Sequence, residues 1–487
     1  MFKNCYTLAL LVIFSGAFQS AEAKVVLPAV FSDHMVLQQK TNAAIWGKAL
    51  PGVKVSISTG WNKKKYTGIA DTDGNWKISV LTPSYGGPYD IEISDGELMV
   101  LKDVLIGDVW ICSGQSNMEM PLAGWGKIDN YEQEIAKADV PGIRLLQVKQ
   151  MTANQPDAAI SVANGGWVAC KPATIAEFSA TAYFFAREVN RKTKIPIGLI
   201  HTSWGGTIAE AWMSASVLKT MPDFKTAVLA VEDAAPAAAQ QKNPNRPSVL
   251  YNAMIYPFIQ FSIRGAIWYQ GESNADRAYQ YRELFPALIK NWREKWATGD
   301  FPFYFVQLAN FKKKDEKPAA SAWAELREAQ LKTLSLPHTG MATTIDIGLE
   351  NDIHPKNKQE VGRRLALIAL AQTYHQPVSY SGPLLQRQKI EKDRIRLNFK
   401  FADSGLQAKD GQSLKGFAIA GADQQFYWAD AVIKGKEIIV SCKQVISPVA
   451  VRYDWGNNPE GNLYNGAGLP ASPFRTDDWQ GITYGKK

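Results

Sequence analysis

The chain has 487 residues, 46% of them hydrophobic and 11% aromatic, which is enough for about three globular domains with large cores. The formal net charge is +8 and the pI is near 9.0, but the basic residues are dispersed, so the sequence does not predict nucleic-acid binding. The sequence contains only five histidines and no CxxC or HExxH motif. We therefore expect neither a protein-held metal nor a cofactor.

The first 23 residues are typical of a signal peptide. Met1-Phe2-Lys3 precedes an apolar run over residues 6–14, and Ala21-Glu22-Ala23 resembles a cleavage site. The apolar run is too short to cross a bilayer, so we expect no membrane span. The sequence therefore predicts export, with the mature protein periplasmic or secreted.

Three domains are predicted after this segment. In residues 24–103, short apolar runs such as 43–47 and 53–57 alternate with turns, which predicts a small antiparallel β-domain. In residues 104–376, strands alternate with helical patterns such as 180–189 and 281–296, which indicates a parallel sheet with helices on both faces. Residues 377–487 return to short strands, such as 395–399 and 437–441, and are rich in aromatic residues.

One stretch of the central domain has no regular pattern. Residues 232–247 are rich in alanine and proline and cannot continue a helix past Pro244, so they are predicted to leave the domain as an excursion. The sequence leaves open whether this excursion is a lid or a plain loop.

A candidate nucleophile follows the first strand of the central domain. Residues 104–112 are apolar enough for a buried parallel strand, and Gly114 permits a sharp turn that places Ser116 at the carboxyl end of that strand. Chemistry in α/β folds takes place at this edge of the sheet. A serine in a glycine-containing turn is common, so this motif is not specific alone.

A candidate base lies late in the same domain. His354 follows a strand-like run at residues 345–347, and a helix with Val361, Leu365 and Ile368 on its buried face follows it, with Pro355 suited to the helix start. A histidine after a late strand can reach a serine after an earlier one. The alternative is a surface-loop histidine.

Two further turns are predicted at the same edge. The strand at residues 195–200 leads to Gly205 and Gly206, and the strand at residues 265–269 leads to Asn274. Backbone N–H groups at the glycines and the Asn274 amide would supply oxyanion donors beside the Ser116 N–H. The alternatives are a helix-capping glycine pair and a hydrogen-bonded loop asparagine.

The order and spacing of four motifs resemble the sialate O-acetylesterase family of the SGNH hydrolase superfamily. The motifs are Gly-Gln-Ser-Asn-Met (114–118), Ser-Trp-Gly-Gly-Thr (203–207), Trp-Tyr-Gln-Gly-Glu-Ser-Asn (268–274) and Asn-Asp-Ile-His-Pro (351–355). Residues 323–330 and 463–465 also look like family signatures. The resemblance implies a flavodoxin-like α/β core with a parallel sheet, flanked by β-sandwich-like domains. It also implies a serine esterase that releases acetate from O-acetylated sialic acid or sialoglycans.

The resemblance also implies roles for individual residues. Ser116 and His354 would be catalytic, with Asp352 as the acid, and the oxyanion hole would comprise Ser116, Gly205, Gly206 and Asn274. The expected substrate contacts are Gln115, Asn117, Gln270, Glu272 and Arg277, the last as a partner for a sialate carboxylate.

The acid of this set departs from the superfamily pattern. That pattern has the acid three residues before the histidine, where this chain has Asn351, whereas Asp352 is two residues before His354. A Ser-His dyad therefore stays open, and Asp346 is expected to be structural.

Two rival functions stay open. An acetylxylan-type carbohydrate acetylesterase would use the same machinery on a neutral polysaccharide. A glycan-binding protein with an inactive central domain would be expected to lack the serine or the histidine, and both are present. The O-acetyl position, the native glycan and the oligomeric state are not predicted.

Overall fold

The computed structural model describes residues 24–234 and 243–487. The predicted signal peptide and residues 235–242 of the predicted excursion lie outside the described residues. No helix within the described ranges has both the length and the apolar character needed to span a membrane.

The N-terminal domain is built mainly from antiparallel pairs, as predicted. Alternation of buried and exposed residues, clearest in β5, turns one face of each strand to the core. The strands are β1 (Val36–Gln38), β2 (Asn42–Lys48), β3 (Lys54–Thr59), β4 (Lys65–Ile69), β5 (Asn75–Leu81), β6 (Gly86–Ser94) and β7 (Leu98–Gly114).

Strand β7 continues from this domain into the next. Its first part pairs with β6, and its last seven residues, from Asp108 to Gly114, pair with a strand of the central sheet. The predicted boundary between residues 103 and 104 therefore lies inside one 17-residue strand. A single hydrophobic cluster also runs from the N-terminal domain, for example Ile57, to Trp110 in the central sheet.

The central sheet has the order β13-β12-β11-β7-β10-β8-β9, and all neighbouring pairs are parallel except β8 with β9. Its strands after β7 are β8 (Val140–Gln147), β9 (Val168–Cys170), β10 (Ile197–Ser203), β11 (Gly265–Tyr269), β12 (Phe303–Val306) and β13 (Thr339–Ala342). The α-helices are α1 (Ser116–Glu119), α2 (Tyr131–Ala136), α3 (Pro172–Ile175), α4 (Ala180–Thr193), α5 (Ala215–Leu218), α6 (Pro222–Glu232), α7 (Ala278–Trp296), α8 (Ala322–Lys332) and α9 (Lys358–Gln372).

Helices cover both faces of this sheet, as the alternating pattern predicted. Trp110 of β7 is in register with Gly265 of β11, so Trp268, three residues further, points to the opposite face. Trp110 contacts Phe185 of α4, whereas Trp268 stacks on Phe285 of α7. The α/β architecture with a buried parallel sheet is confirmed.

The region before His354 differs from the prediction in two details. The last central strand is β13, which ends at Ala342, and residues 345–347 form a turn. Helix α9 begins at Lys358 and not at Pro355, because the Asn357 side chain accepts a hydrogen bond from the Glu360 N–H and caps the helix there. The three predicted core residues of α9 are buried.

The C-terminal region forms two four-stranded antiparallel sheets, β14-β15-β20-β19 and β18-β17-β21-β23, and the pair β16-β22. Both four-stranded sheets contribute to one hydrophobic cluster, with Ile395 from the first and Ile419 from the second. The strands are β14 (Leu384–Glu391), β15 (Arg394–Lys400), β16 (Leu406–Ala408), β17 (Phe417–Ala420), β18 (Phe426–Trp428), β19 (Asp430–Lys434), β20 (Glu437–Ser441), β21 (Ala450–Tyr453), β22 (Leu463–Asn465) and β23 (Phe474–Arg475).

Polar contacts from the two predicted signature segments join this region to the central domain. The fully buried Arg327 of α8 donates to the carbonyl oxygens of Gly456 and Asn457, both at 2.8 Å. The Tyr464 hydroxyl donates to Asp346 at 2.8 Å, and Asp346 also binds Arg364 of α9. Asp346 is thus a structural acid, as expected.

We predict that ending the chain at Gln376 destabilises the central domain. The truncation would leave the buried Arg327 guanidinium without two of its acceptors, at a cost of about 1–3 kcal/mol for each unpaired group. The truncated protein should aggregate or unfold at least about 5 °C lower in differential scanning fluorimetry with light scattering. The exposed Lys436→Ala variant is the control. A soluble truncation as stable as the full chain would show that the tail is an independent module.

Candidate active site

The Ser116 turn is held by the neighbouring strand. Gly114 ends β7 with a φ of +139°, and a Cβ there would lie 2.1 Å from the Tyr269 carbonyl oxygen, so only glycine fits. The next amide, of Gln115, donates to that same carbonyl at 3.0 Å. Ser116 then begins α1, where its N–H has no acceptor inside the helix and its side chain is partly exposed.

Gly205 lies beside Ser116. A Cβ at Gly205 would lie 3.3 Å from the Ser116 Cβ. The Gly205 N–H donates to Glu119 Oε2 at 2.5 Å, so this expected oxyanion donor already has an acceptor. Burial raises the pKa of Glu119, against the opposing hydrogen bonds from Gly205 and Gln150. Gly206 follows with a φ of +72° in the left-handed region, where glycine is favoured.

Asn274 is held in the loop after β11 by three hydrogen bonds. Its Oδ1 accepts from the Ala209 N–H at 3.0 Å and from Gln270 Nε2 at 2.6 Å, and its Nδ2 donates to Glu210 Oε2 at 3.0 Å. An amide nitrogen has two protons, so one remains beyond the bond to Glu210. The side chain is buried and its orientation is fixed.

Two of the expected substrate contacts are bound inside the protein. Gln270 is fully buried and also donates to the Thr207 carbonyl, while its Oε1 accepts from the Tyr281 hydroxyl. Arg277 donates to Glu210 Oε1 at 2.8 Å, which compensates the charge of this buried carboxylate. Gln270 thus positions the Asn274 side chain, and Arg277 compensates the charge of Glu210.

His354 lies next to Asp352 on the loop between β13 and α9. Its Nδ1 is 3.4 Å from Asp352 Oδ1, longer than a normal hydrogen bond, and its own N–H donates to that oxygen at 2.9 Å. Lys356 Nζ is 3.2 Å from the other carboxylate oxygen. Burial raises the pKa of Asp352, but the hydrogen bonds from His354 and Lys356 outweigh it and the net pKa is lowered.

Burial and a neighbouring lysine favour the neutral form of His354. Partial burial lowers the pKa of the imidazole, the charge of Lys358 lowers it further, and Asp352 opposes both. A neutral imidazole can accept a proton. The electrostatic environment of His354 therefore suits a general base.

The Asn117 side chain joins the serine turn to the histidine loop. Its Nδ2 donates to the Ile353 carbonyl at 3.0 Å and to Glu272 Oε1 at 2.6 Å, and its Oδ1 accepts from Lys358 Nζ at 2.5 Å. Ser116 and His354 are the chain neighbours of Asn117 and Ile353. This buried asparagine thus brings the two candidate catalytic residues to one place.

Of the two ionisable partners of Asn117, Lys358 is buried and Glu272 is partly buried. Lys358 is fully buried, its Nζ lies 5.2 Å from the centre of the Tyr269 ring, and burial lowers its pKa to about 7, against the charge of Glu272. Burial raises the pKa of Glu272, whose Oε2 has no hydrogen bond from any described residue. Lys358 and Glu272 thus hold the Asn117 side chain in place.

Gln115 has a similar supporting position. Its side-chain oxygen lies 3.4 Å from the Gly271 nitrogen and 3.3 Å from the Ser273 nitrogen, and accepts from both. It therefore ties the Ser116 turn to the Asn274 loop.

An exposed tryptophan forms one wall beside the histidine. The Trp125 ring meets the His354 ring edge to face, with 5.2 Å between their centres, and Trp125 is 53% exposed. Its loop is held by Lys356 Nζ, which donates to the Gly126 carbonyl at 3.0 Å. An open aromatic wall next to the base is a surface against which a sugar ring can pack.

A second histidine–serine pair lies deeper in the sheet. His201 Nε2 is 2.6 Å from the Ser203 hydroxyl, but both residues are buried and burial lowers the pKa of His201 to about 3. This pair is closed to substrate and is structural.

Several neighbours of the site were not expected from the sequence. Glu119 lies one helical turn after Ser116, a spacing that was available as a signal, whereas Lys358 is the first residue of α9 and His354 precedes that helix. Trp125 and Glu210 lie in segments without a motif. Across residues 24–234 and 243–487, no cluster of three metal-ligating side chains occurs.

Comparisons with known proteins identify the family of the chain. The family model described as carbohydrate esterase, sialic acid-specific acetylesterase, matches residues 106–371. Sialate O-acetylesterases from Homo sapiens and Pongo abelii are each 30% identical to this chain, with 91% of each chain covered. A crystal structure of a carbohydrate acetylesterase from Xanthomonas citri is 41% identical, has a TM-score of 0.85, and covers 94% of this chain and 100% of its own. The chain is therefore an esterase that belongs to the sialic acid-specific acetylesterase family of carbohydrate esterases.

Proposed function

We propose that this esterase removes O-acetyl groups from sialic acids, free or in sialoglycans, with Ser116 as nucleophile and His354 as base. The observation that carries this proposal is the Asn117 side chain, which binds the Ile353 carbonyl and so holds the serine turn against the histidine loop. The family membership supports the reaction class.

The proposed reaction has two half-reactions. In the first, the Ser116 oxygen attacks the acetyl carbonyl carbon and its proton passes to His354, whose Nδ1 faces Asp352. The sugar oxygen then leaves with the proton from His354, and the acetyl group stays on Ser116. In the second, water gives its proton to His354 and attacks the acetyl carbon, and acetate leaves as Ser116 regains its proton.

Oxyanion donors are proposed at the Ser116 N–H, Gly206 N–H and the free amide proton of Asn274. The Gly205 N–H joins this set only when Glu119 releases it, because the two are bound at 2.5 Å. The raised pKa of Glu119 favours its protonated form, which is a weaker acceptor. Loss of one such donor typically costs on the order of 10²-fold in rate.

A neutral acetylated polysaccharide is the second candidate substrate, and one contact favours it. Arg277, expected to bind a sialate carboxylate, is bound to Glu210 and so has its charge compensated inside the protein. The similar protein from Xanthomonas citri is named a carbohydrate acetylesterase, without mention of sialate. Trp125 offers packing to either kind of sugar.

Export to the periplasm or the medium is part of the proposal. Residues 1–23 carry the basic start, the apolar run and the small-residue cleavage site of a signal peptide. Acetylated glycans outside the cytoplasm are then accessible to the enzyme.

We expect Ser116→Ala and His354→Ala each to lower acetate release by at least about 10³-fold, since each removes a bond-making or proton-transferring group. The measurement is acetate release from 9-O-acetylated sialic acid, acetylated xylan and 4-nitrophenyl acetate. Ser203→Ala is the matched serine control and should retain activity if it folds. A folded Ser116→Ala protein with wild-type rates excludes Ser116 as nucleophile, and preference for xylan selects the second candidate.

Asp352→Asn should lose at least about tenfold less activity than His354→Ala, because the acid only orients the imidazole and the contact is longer than a normal hydrogen bond. The comparison uses kcat/KM for one substrate at one pH. Equal losses in the two variants would show that the carboxylate is indispensable. Asn351→Ala, at the adjacent exposed position, is the control.

The acid side of the pH–rate profile should report His354. Rate is lost as pH falls through its pKa, since the protonated imidazole cannot accept a proton. The Lys358 charge lowers that pKa, so Lys358→Met should move the acid limb to higher pH; Asp352 raises it, so Asp352→Asn should move the limb lower.

Each shift should be roughly half a pH unit or more, with the exposed Lys137→Met as control. The readout is the midpoint of the acid limb of kcat/KM, which a general loss of stability would not move in opposite directions. Shifts of the same sign in both variants would contradict the assignment.

A further inference from the structure

Two adjoining cavities lie between residues 313–320 of the central domain and the C-terminal sheets. Their volumes are about 690 and 340 Å³, within the range of roughly 300–1,000 Å³ typical of ligand sites. They share three wall residues, Gly416, Trp428 and Trp455, and the two adjoining cavities together are called the cleft. None of the residues placed at the active site lines it.

Aromatic side chains form much of the wall of this cleft. Trp428 is 48% exposed, and its position is fixed because its Nε1 donates to the Glu316 carbonyl at 3.0 Å. Trp479 and Phe426 line the second cavity in edge-to-face contact, with ring centres 5.6 Å apart. A flat aromatic ring held in a cleft presents an apolar face to the C–H face of a sugar.

Polar groups stand beside these rings. The amides of Gln424, Gln425 and Gln480 line the second cavity, and each amide can both donate and accept a hydrogen bond. Sugar hydroxyls have the same dual character. This combination of fixed aromatic rings and amides suits a carbohydrate better than a purely apolar ligand.

Asp454 provides a second, independent observation at the first cavity. It is 1% exposed, and among the described residues neither carboxylate oxygen has a hydrogen-bond partner in normal geometry. Burial raises its pKa to about 7, against the positive charge of Arg327. Its φ of +49° lies in the left-handed region, which aspartate enters more readily than most residues. An unpaired buried acid beside a cavity is a feature that needs an explanation.

The charges around the first cavity indicate a neutral ligand. Four lysines line it, Lys313, Lys314, Lys317 and Lys415, and the acids Asp315, Glu316 and Glu460 line it with them. Lys314 pairs with Glu460, and Lys415 lies 3.4 Å from Asp410. The balance leaves no excess of positive charge for a sugar carboxylate.

We propose that this cleft binds a neutral oligosaccharide chain as a second carbohydrate site, separate from Ser116. Trp428 packs against a sugar ring, and the glutamine amides bind hydroxyl groups. The site would hold a glycan to the enzyme while the acetyl esters are hydrolysed elsewhere on the protein.

The test is isothermal titration calorimetry of the full chain with deacetylated xylohexaose, and with α2,8-linked trisialic acid as the acidic probe. Neither probe carries an ester, so binding is measured independently of the proposed esterase activity. We expect Trp428→Ala to weaken xylohexaose binding at least about tenfold, and the exposed Gln480→Ala to weaken it about threefold.

Trp61→Ala is the matched control, because Trp61 Nε1 also donates to one carbonyl, that of Leu81, at 3.1 Å. It should bind within about twofold of the full chain. Melting temperatures establish that each variant is folded, and Gln480→Ala keeps the test decisive if Trp428→Ala unfolds. Unchanged affinity in both cleft variants, binding lost in Trp125→Ala instead, preference for trisialic acid, or no xylohexaose binding by the unmodified chain would each overturn the proposal.

Discussion

The hydrogen bonds of the Asn117 side chain are the constraint on which the rest of the site depends. One buried carboxamide binds the Ile353 carbonyl, Glu272 and Lys358, and so joins the loops after β7, β11 and β13. Such bonds are strong in a low-dielectric interior, and loss of one partner leaves another polar group buried and unpaired. The relative position of Ser116 and His354 is therefore specified by a network and not by either residue alone.

The flanking domains contribute to the same rigidity. Strand β7 begins in the N-terminal domain and ends at the serine turn, so displacement of that domain would be transmitted along one strand. On the other side, Asp346 binds both Arg364 of α9 and Tyr464 of the tail. Elements that carry catalytic groups are most exact when packing on several sides fixes them. All three domains therefore help to hold the polar groups of the active site in position.

Charge is distributed differently at the two carbohydrate sites that we propose. At the active site, burial and Lys358 bias His354 toward its neutral form, while Arg277 and Glu210 compensate each other inside the protein. At the cleft, lysines and acids are balanced at the rim and the walls are aromatic. Each region pairs a basic side chain with an acid, Arg277 with Glu210 at the active site and Lys314 with Glu460 at the cleft. This pairing of charges supports a neutral polysaccharide as the alternative substrate.

Much of the architecture could be predicted because it depends on local patterns. Apolar runs and turns placed Ser116, Gly205 and Asn274 after three strands, and the apolar spacing of Val361, Leu365 and Ile368 predicted helix α9. The strand proposed at residues 345–347 was wrong, because a short apolar run is also compatible with a turn, and here only Ile345 of the three residues is buried. Helix α9 begins later than predicted because the Asn357 side chain caps it, whereas Pro355 lies before the helix.

The sequence by itself determined the order of the motifs and the edge of the sheet at which they meet, since both follow from strand periodicity and parallel topology. Only the tertiary structure decided which polar groups pair. It bound Gly205 to Glu119, Arg277 to Glu210 and Asn117 to Lys358, across 86, 67 and 241 residues of chain. Such pairings depend on distances and burial between segments far apart in sequence, and no local pattern encodes them.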